Sequence, residues 1–210
     1  MKRSICILSF LVSLGMFSSC KTSSKVSSLG EFGPEFSESF LVLSVDKVWK
    51  NYKSVFKKGA NWIKVVQLND SSMNLRYDIT DYDSKKDTYK IKVSSNKDVN
   101  EYQQNKDSFQ SDLSTVYSFA KRQGASQKLT NISISKKDYE VIELSASDLS
   151  IDEVVSIFPD VEGLRNMVSS ANVSMWVMPK EAVVLKTQIT LFGKENKKIE
   201  FSMVYTDLTL

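Results

Sequence analysis

Apolar residues recur along the chain at two different spacings, and the changes from one to the other mark its elements. Val45, Val48, Trp49, Tyr52 and Phe56 fall at helical spacing with lysines between them, and Gly59 follows as a stop. A period of two then takes over. Trp62, Lys64, Val66 and Leu68 form one alternation, Asn69-Asp70-Ser71-Ser72 a turn, and Met73, Leu75, Tyr77 and Ile79 alternate with Asn74, Arg76 and Asp78. A charged turn from Asp81 to Asp87 leads into Tyr89, Ile91 and Val93, completing an antiparallel meander of three strands. From Asp98 to Gln123, the spacing of Val99, Tyr102, Phe109, Leu113, Val116, Tyr117 and Ala120 predicts one helix, ended by Gly124.

Two further strands are expected, Lys128 to Ser135 and Tyr139 to Leu144, joined by Lys136-Lys137-Asp138. A helical region follows from Asp152 to Phe158 and, after a break at Pro159, from Val161 to Ser170. Strands near Asn172–Met178, Val183–Phe192 and Lys197–Leu208 end the chain, with Pro179-Lys180-Glu181 and Gly193-Lys194-Glu195-Asn196 as their turns. Strands grouped by hairpins, rather than alternating singly with helices, predict an α+β domain: one antiparallel sheet with helices on one face.

The first twenty residues follow another pattern. Lys2 and Arg3 precede an apolar run from Ile5 to Phe17, too short to span a bilayer, and Phe17-Ser18-Ser19-Cys20 closes it with small residues before a cysteine. This ending resembles the lipobox of bacterial lipoproteins, whose mature chain begins with a diacylglycerol-modified cysteine. The expected organisation is a signal peptide over 1–19, Cys20 as the lipidation site at the head of a tether over 20–39, and a folded domain over 40–210. The alternative is an ordinary secretory signal that leaves Cys20 a free thiol. The Ser-rich tether suits a flexible linker, although Phe32 and Phe36 are unusual in one.

Composition narrows the function. With Lys2 and Arg3 removed, two fewer than the chain's 28 basic residues face 25 acidic ones, which argues against nucleic acid as a partner. There is no histidine, and the cysteines are Cys6 in the signal and Cys20 at the anchor. Histidine-dependent hydrolysis, a histidine-ligated zinc site and a structural disulfide are thereby excluded. No catalytic residue, metal or cofactor is assigned.

The last strands carry a resemblance. Trp176 and Lys180 on a strand and its turn, Val183-Val184 opening the next strand, and Tyr205 and Asp207 near the end are similar to the C-terminal hairpins of the LolA/LolB-like lipoproteins and carriers. The resemblance implies an unclosed antiparallel half-barrel with helices over its concave face, binding acyl chains of lipids or lipoproteins. The inward residues of such a cleft would be Val66, Leu75, Tyr77, Ile91, Val93, Met175, Leu185, Ile189, Phe201 and Met203, with Leu164, Met167 and Val168 forming a lid. Methionines and aromatics suit a flexible chain, but the same residues also suit a core filled by the helices. The expectation is a non-catalytic, lipid-anchored envelope protein, at the outer membrane facing the periplasm, that binds or shuttles a hydrophobic ligand. The rival reading is a scaffolding lipoprotein with a filled core and a protein partner. An open cleft of several hundred cubic ångströms separates the two.

Other motifs are weaker. Asp78, Asp81, Asp83 and Asp87 lack the glycine and terminal glutamate of a calcium loop and read as a solvated hairpin tip. Ser94-Ser95-Asn96-Lys97 has the Ser-x-x-Lys spacing without its companion motifs, and reads as a helix start. The lysines between residues 47 and 58 read as a solvated helix face. Asn131-Ile-Ser and Asn172-Val-Ser match the glycosylation triplet, which a bacterial lipoprotein would not ordinarily use.

Overall fold

The computed structural model describes residues 44–96, 98–122, 124–158, 163, 165–193 and 197–210. The signal, Cys20, the tether with Phe32 and Phe36, Pro159 and Leu164 lie outside the described residues. Three helices, α1 (Val45–Val55), α2 (Lys106–Ala120) and α3 (Ile151–Ile157), accompany nine strands. These are β1 (Asn61–Leu68), β2 (Ser71–Asp83), β3 (Thr88–Ser94), β4 (Val99–Asn105), β5 (Ser126–Ile134), β6 (Lys137–Ser150), β7 (Val168–Val177), β8 (Val184–Gly193) and β9 (Lys198–Thr209). They form one antiparallel sheet in the order β4-β3-β2-β1-β9-β8-β7-β6-β5, unclosed because β4 and β5 do not pair. The architecture is α+β and fits a half-barrel. No helix among the described residues is long and apolar enough to cross a membrane.

Local chemistry explains the turns. β1 and β2 are joined through Asn69-Asp70, with Leu68 opposite Ser71 and Asn69 at φ +48°, a conformation its short polar side chain tolerates. That turn is tied to β9: the Asn69 N–H donates to Glu200 O at 2.8 Å, and the Glu200 N–H donates to Asn69 Oδ1 at 2.9 Å. Ser135 and Lys136, at φ +51° and +65°, make the β5–β6 turn in the mirror-image conformation that matches strand twist. The Ser135 hydroxyl reaches Thr206 O and Asp207 Oδ1 of β9, each at 3.1 Å. In the sheet, β6 and β9 are three strand spacings apart, about 14 Å if flat. The contact therefore shows strong curling, aided by bulges between Ile63/Lys64, Ile79/Asp81 and Ala146/Leu149.

Two predicted helices are corrected. Residues 99–105 form β4, not the start of a helix, with Tyr102 opposite Ile91 and Gln104 opposite Tyr89. As an edge strand it buries little besides Gln104, so its sequence carries no apolar alternation, and Val99 and Tyr102 happen to fall in phase with the real helix. That helix starts at Lys106 through a capping box: Asn105 Oδ1 accepts the Ser108 N–H at 2.9 Å, and Ser108 Oγ accepts the Asn105 N–H at 3.0 Å. Ser95 accordingly sits in the β3–β4 turn, accepting the Asp98 N–H at 3.1 Å, and starts no helix. Likewise the expected helix through Ser170 gives way to β7, which begins at Val168. A bulge between Val168 and Ser170 sets buried Val168 and Ala171 three residues apart, a spacing that mimics a helix.

Helix α1 begins at Ser44, whose hydroxyl accepts the Lys47 N–H at 3.3 Å, and it buries Val48, Trp49 and Tyr52. Trp49 packs edge-on against Tyr89 of β3 at 5.8 Å and tilts against Phe109 of α2 at 5.2 Å. Glu153 closes the Ser150 capping box of α3 and accepts from Arg122 after α2 at 2.5 and 3.0 Å, which holds its carboxyl at about 2.

The acidic hairpin tip is more than a solvated turn. Asp87 Oδ2 accepts the Trp49 indole N–H at 2.8 Å, and its Oδ1 accepts from Lys53 Nζ at 2.8 Å and the Tyr82 hydroxyl at 2.5 Å. Partial burial pushes the carboxyl up, but donation from Lys53, Tyr82 and Trp49 outweighs it and holds the group at about 2. A carboxyl lowered in the fold stabilises it above the unfolded value near 3.9 and loses that contribution as pH falls through about 2. Asp87→Asn is expected to lower stability by about 1–2 kcal/mol at pH 7, discounted for its partial exposure. It should also flatten the acid side of the stability curve between roughly pH 4 and 2. Urea denaturation across that range checks both.

Candidate functional site

Strand alternation and register bring an aromatic cluster together on one face of the sheet. Trp62 lies opposite Tyr77 of β2, and Lys64, two residues on and so on the same face, lies opposite Tyr205 of β9. The Trp62 ring stacks on Tyr77 at 5.3 Å and 6°, stands 6.1 Å from Tyr205, and meets Phe56, the C-cap of α1, edge-on at 5.6 Å. The Lys64 ammonium lies 5.0 Å from the Tyr77 ring and 5.3 Å from that of Tyr205. Burial pushes the Tyr77 phenol up, keeping it neutral at ordinary pH.

Beside this cluster is a cavity of about 160 Å³. Its floor continues through Met203 on β9, Leu185 and Thr187 on β8 and Met175 on β7. Tyr52 of α1, its C-cap Phe56, and Phe109 and Val116 of α2 supply another wall, and Ala182 and Val183 of the β7–β8 turn close one side. The wall is held to β4 by the buried Tyr52 hydroxyl, which donates to Gln104 Oε1 at 3.0 Å. The Trp62 indole N–H is buried without a hydrogen-bond partner, an unfavourable arrangement that costs roughly 1–3 kcal/mol.

Of the expected cleft residues, Tyr77, Met175, Leu185 and Met203 line this cavity. Val66, Leu75, Ile91 and Val93 share their sheet face but are buried away from it. Ile189 and Phe201 border a second, polar cleft of about 320 Å³ with Gln67, Ser174, Gln188 and Ser202. Met167 is 54% exposed on the turn before β7, Val168 is buried within that strand, and Leu164 lies outside the described residues. The expected cleft residues did not include Trp62, Lys64, Tyr205 or the wall from α1. The signal was present: Lys64 is a charge placed on the apolar stripe of its own strand. Among the described residues no group of three or more His, Cys, Asp or Glu is placed to hold a metal ion.

No protein-family model matches the sequence, and no curated protein does. Solved structures give distant likenesses. The Pseudomonas aeruginosa MucA/MucB complex matches with a TM-score of 0.41 and 11% identity over 78% of this chain and 56% of that one. MucB in complex with MucA(peri) gives 0.40 and 10% over 79% and 56%. A putative outer membrane lipoprotein-sorting protein domain from Vibrio parahaemolyticus gives 0.24 and 8% over 79% and 93%. This chain thus spans little more than half the length of the MucB structures, and likeness of this degree assigns no function.

The apolar end of the cavity has a direct test. Leu185, fully buried, is expected to cost about 2–4 kcal/mol when cut back to alanine, because the space left joins an existing void. Saturating benzene should restore part of that loss by mass action in Leu185→Ala and far less in the unaltered chain. Thermal denaturation with and without benzene reads both effects.

Proposed function

We propose that this chain is a lipid-anchored protein of the bacterial cell envelope whose half-barrel takes a hydrophobic ligand, a lipid or acyl chain, without chemistry. The observation that supports the reading is the cavity of about 160 Å³ lined by aromatic rings and methionines in an otherwise filled core. In this reading α1 and α2 cover the concave face of the sheet. The diacylated Cys20 holds the domain to the outer membrane on its periplasmic side, and residues 20–39 give it reach. The absence of histidine from the sequence disfavours the commonest acid–base chemistry, in keeping with a non-catalytic role.

Size refines the proposal. A cavity of roughly 150 Å³ suits a molecule such as benzene, whereas pockets for drug-sized ligands begin near 300 Å³. The walls as they stand admit one chain end; a whole acyl chain requires the rings of α1 and α2 to draw back from β1 and β9. The same small volume favours the second reading, an envelope scaffold with a filled core that holds a protein partner.

Native mass spectrometry of the mature chain carrying Cys20→Ser, prepared from bacteria without detergent, separates the two. The carrier reading expects a co-purified lipid or fatty acid, lost in Met203→Trp. That variant fills the cavity at about 1–3 kcal/mol of overpacking and is checked for folding by circular dichroism. A ligand-free mass, with no uptake of fluorescent fatty acid afterwards, favours the scaffold.

A further inference from the structure

The lysines of α1, taken alone, read as a solvated helix face, but the fold gathers them with lysines from two turns. Val48, Trp49 and Tyr52 form the buried side of α1, so Lys47 and Lys50 stand on its outer side, and both are exposed. On one flank the helix is tied to the β2–β3 turn, where Asp87 accepts from the Trp49 indole N–H and from Lys53, each at 2.8 Å. That turn carries exposed Lys85 and Lys86. On the other flank Asn51 donates to Lys180 O at 2.9 Å, which brings the exposed Lys180 of the β7–β8 turn alongside. Lys57, just past the end of the helix, is exposed as well.

The acidic groups around these lysines are largely engaged. Asp46 pairs with Lys106, Asp81 with Lys58 at 3.2 Å, and Asp87 with Lys53. Asp83 accepts the Lys85 and Lys86 N–H groups at 3.0 and 3.2 Å, and Glu181 of the β7–β8 turn is buried. Among the described residues no ion pair engages Lys47, Lys50, Lys57, Lys85, Lys86 or Lys180. Positive charge thus collects on one face of a chain whose 28 basic and 25 acidic residues nearly balance. Lys47 and Lys50, one turn apart, repel each other, and an anionic surface relieves that repulsion.

Building on the lipid-anchored reading, we infer that this face docks on a bilayer rich in anionic phospholipid. Ser44 caps the start of α1, so the chain that leaves Cys20 enters the described fold at this face. The anchor keeps the domain at the membrane, and the lysines decide which side it presents, through attraction that acts within about 10 Å of the headgroups. Point charges spread over a helix and two turns suit a plane of headgroups better than a single small ligand. Tyr52 and Ala182, which border the cavity, belong to the docked segments, so docking sets that side of the cavity towards the membrane.

The test uses the mature chain with Cys20→Ser, co-sedimented at low salt with vesicles of phosphatidylcholine, alone or mixed in equal parts with phosphatidylglycerol. Binding is expected to the mixed vesicles, about tenfold or more above that to phosphatidylcholine. It should be lost in about 1 M salt, where the screening length falls to about 3 Å. Lys47→Glu with Lys50→Glu should weaken it about tenfold or more. Lys128→Glu with Lys198→Glu, the same change of net charge at exposed positions of β5 and β9, should leave it unchanged. Circular dichroism checks that both double variants fold. Equal binding to the two vesicles, binding to neither, or equal loss in the two double variants overturns the docking face. The anchor is read separately, from the intact mass of the unaltered chain extracted from bacterial membranes. A diacylglycerol on Cys20 without vesicle binding removes the docking face alone, and vesicle binding without the diacylglycerol removes the anchor alone.

Discussion

One face of a nine-stranded sheet has to be kept from water, and among the described residues there is no second sheet to do it. Nearly every strand from β1 to β9 turns its apolar parity to the same side, so the hydrophobic effect favours a curled sheet. Curling brings the β5–β6 turn onto β9 without pairing β5 to β4. The helices are short, with α1 at 11 residues and α2 at 15, and they pack mainly through rings: Trp49, Tyr52, Phe56 and Phe109 against Tyr89 and Trp62. Large flat side chains cover much area per residue. They also fit a curved floor imperfectly, and the misfit collects as the cavity beside Trp62.

Polar contacts then decide where the cover sits. Asp87 gathers donors from α1 and from β2 onto the β2–β3 turn, Asn51 of α1 donates to Lys180 O across to the β7–β8 turn at 2.9 Å, and Glu153 ties α3 to the end of α2. These contacts join the helices to turns, and the buried Tyr52–Gln104 hydrogen bond joins α1 to β4 beside the cavity.

The same physics separates legible from illegible elements. Strands buried on one face, such as β2 and β8, announce themselves by alternation, because parity alone decides which side chains meet water. β4 does not, because an edge strand needs backbone partners more than apolar side chains, and its hydrogen bonds to β3 leave no trace in residue type. The bulges that shift Val168 against Ala171, and Ala146 against Leu149, break the alternation where it would have been read. One local cue was readable: the Asn105–Ser108 capping box marks where the second helix starts.

From the sequence alone follow the α+β class, the hairpin grouping and the inward parity of residues such as Tyr77, Met175, Leu185 and Met203. Each depends on local spacing and on the burial of one face. The strand order that places β9 beside β1, the pairing of Lys64 with Tyr205, and the choice of which inward residues border empty space were decided only by the tertiary structure. Those facts join positions some 140 residues apart, and a cavity is a property of how two surfaces fail to fit. No single strand carries that information, because the gap belongs to the helices and the curled sheet together.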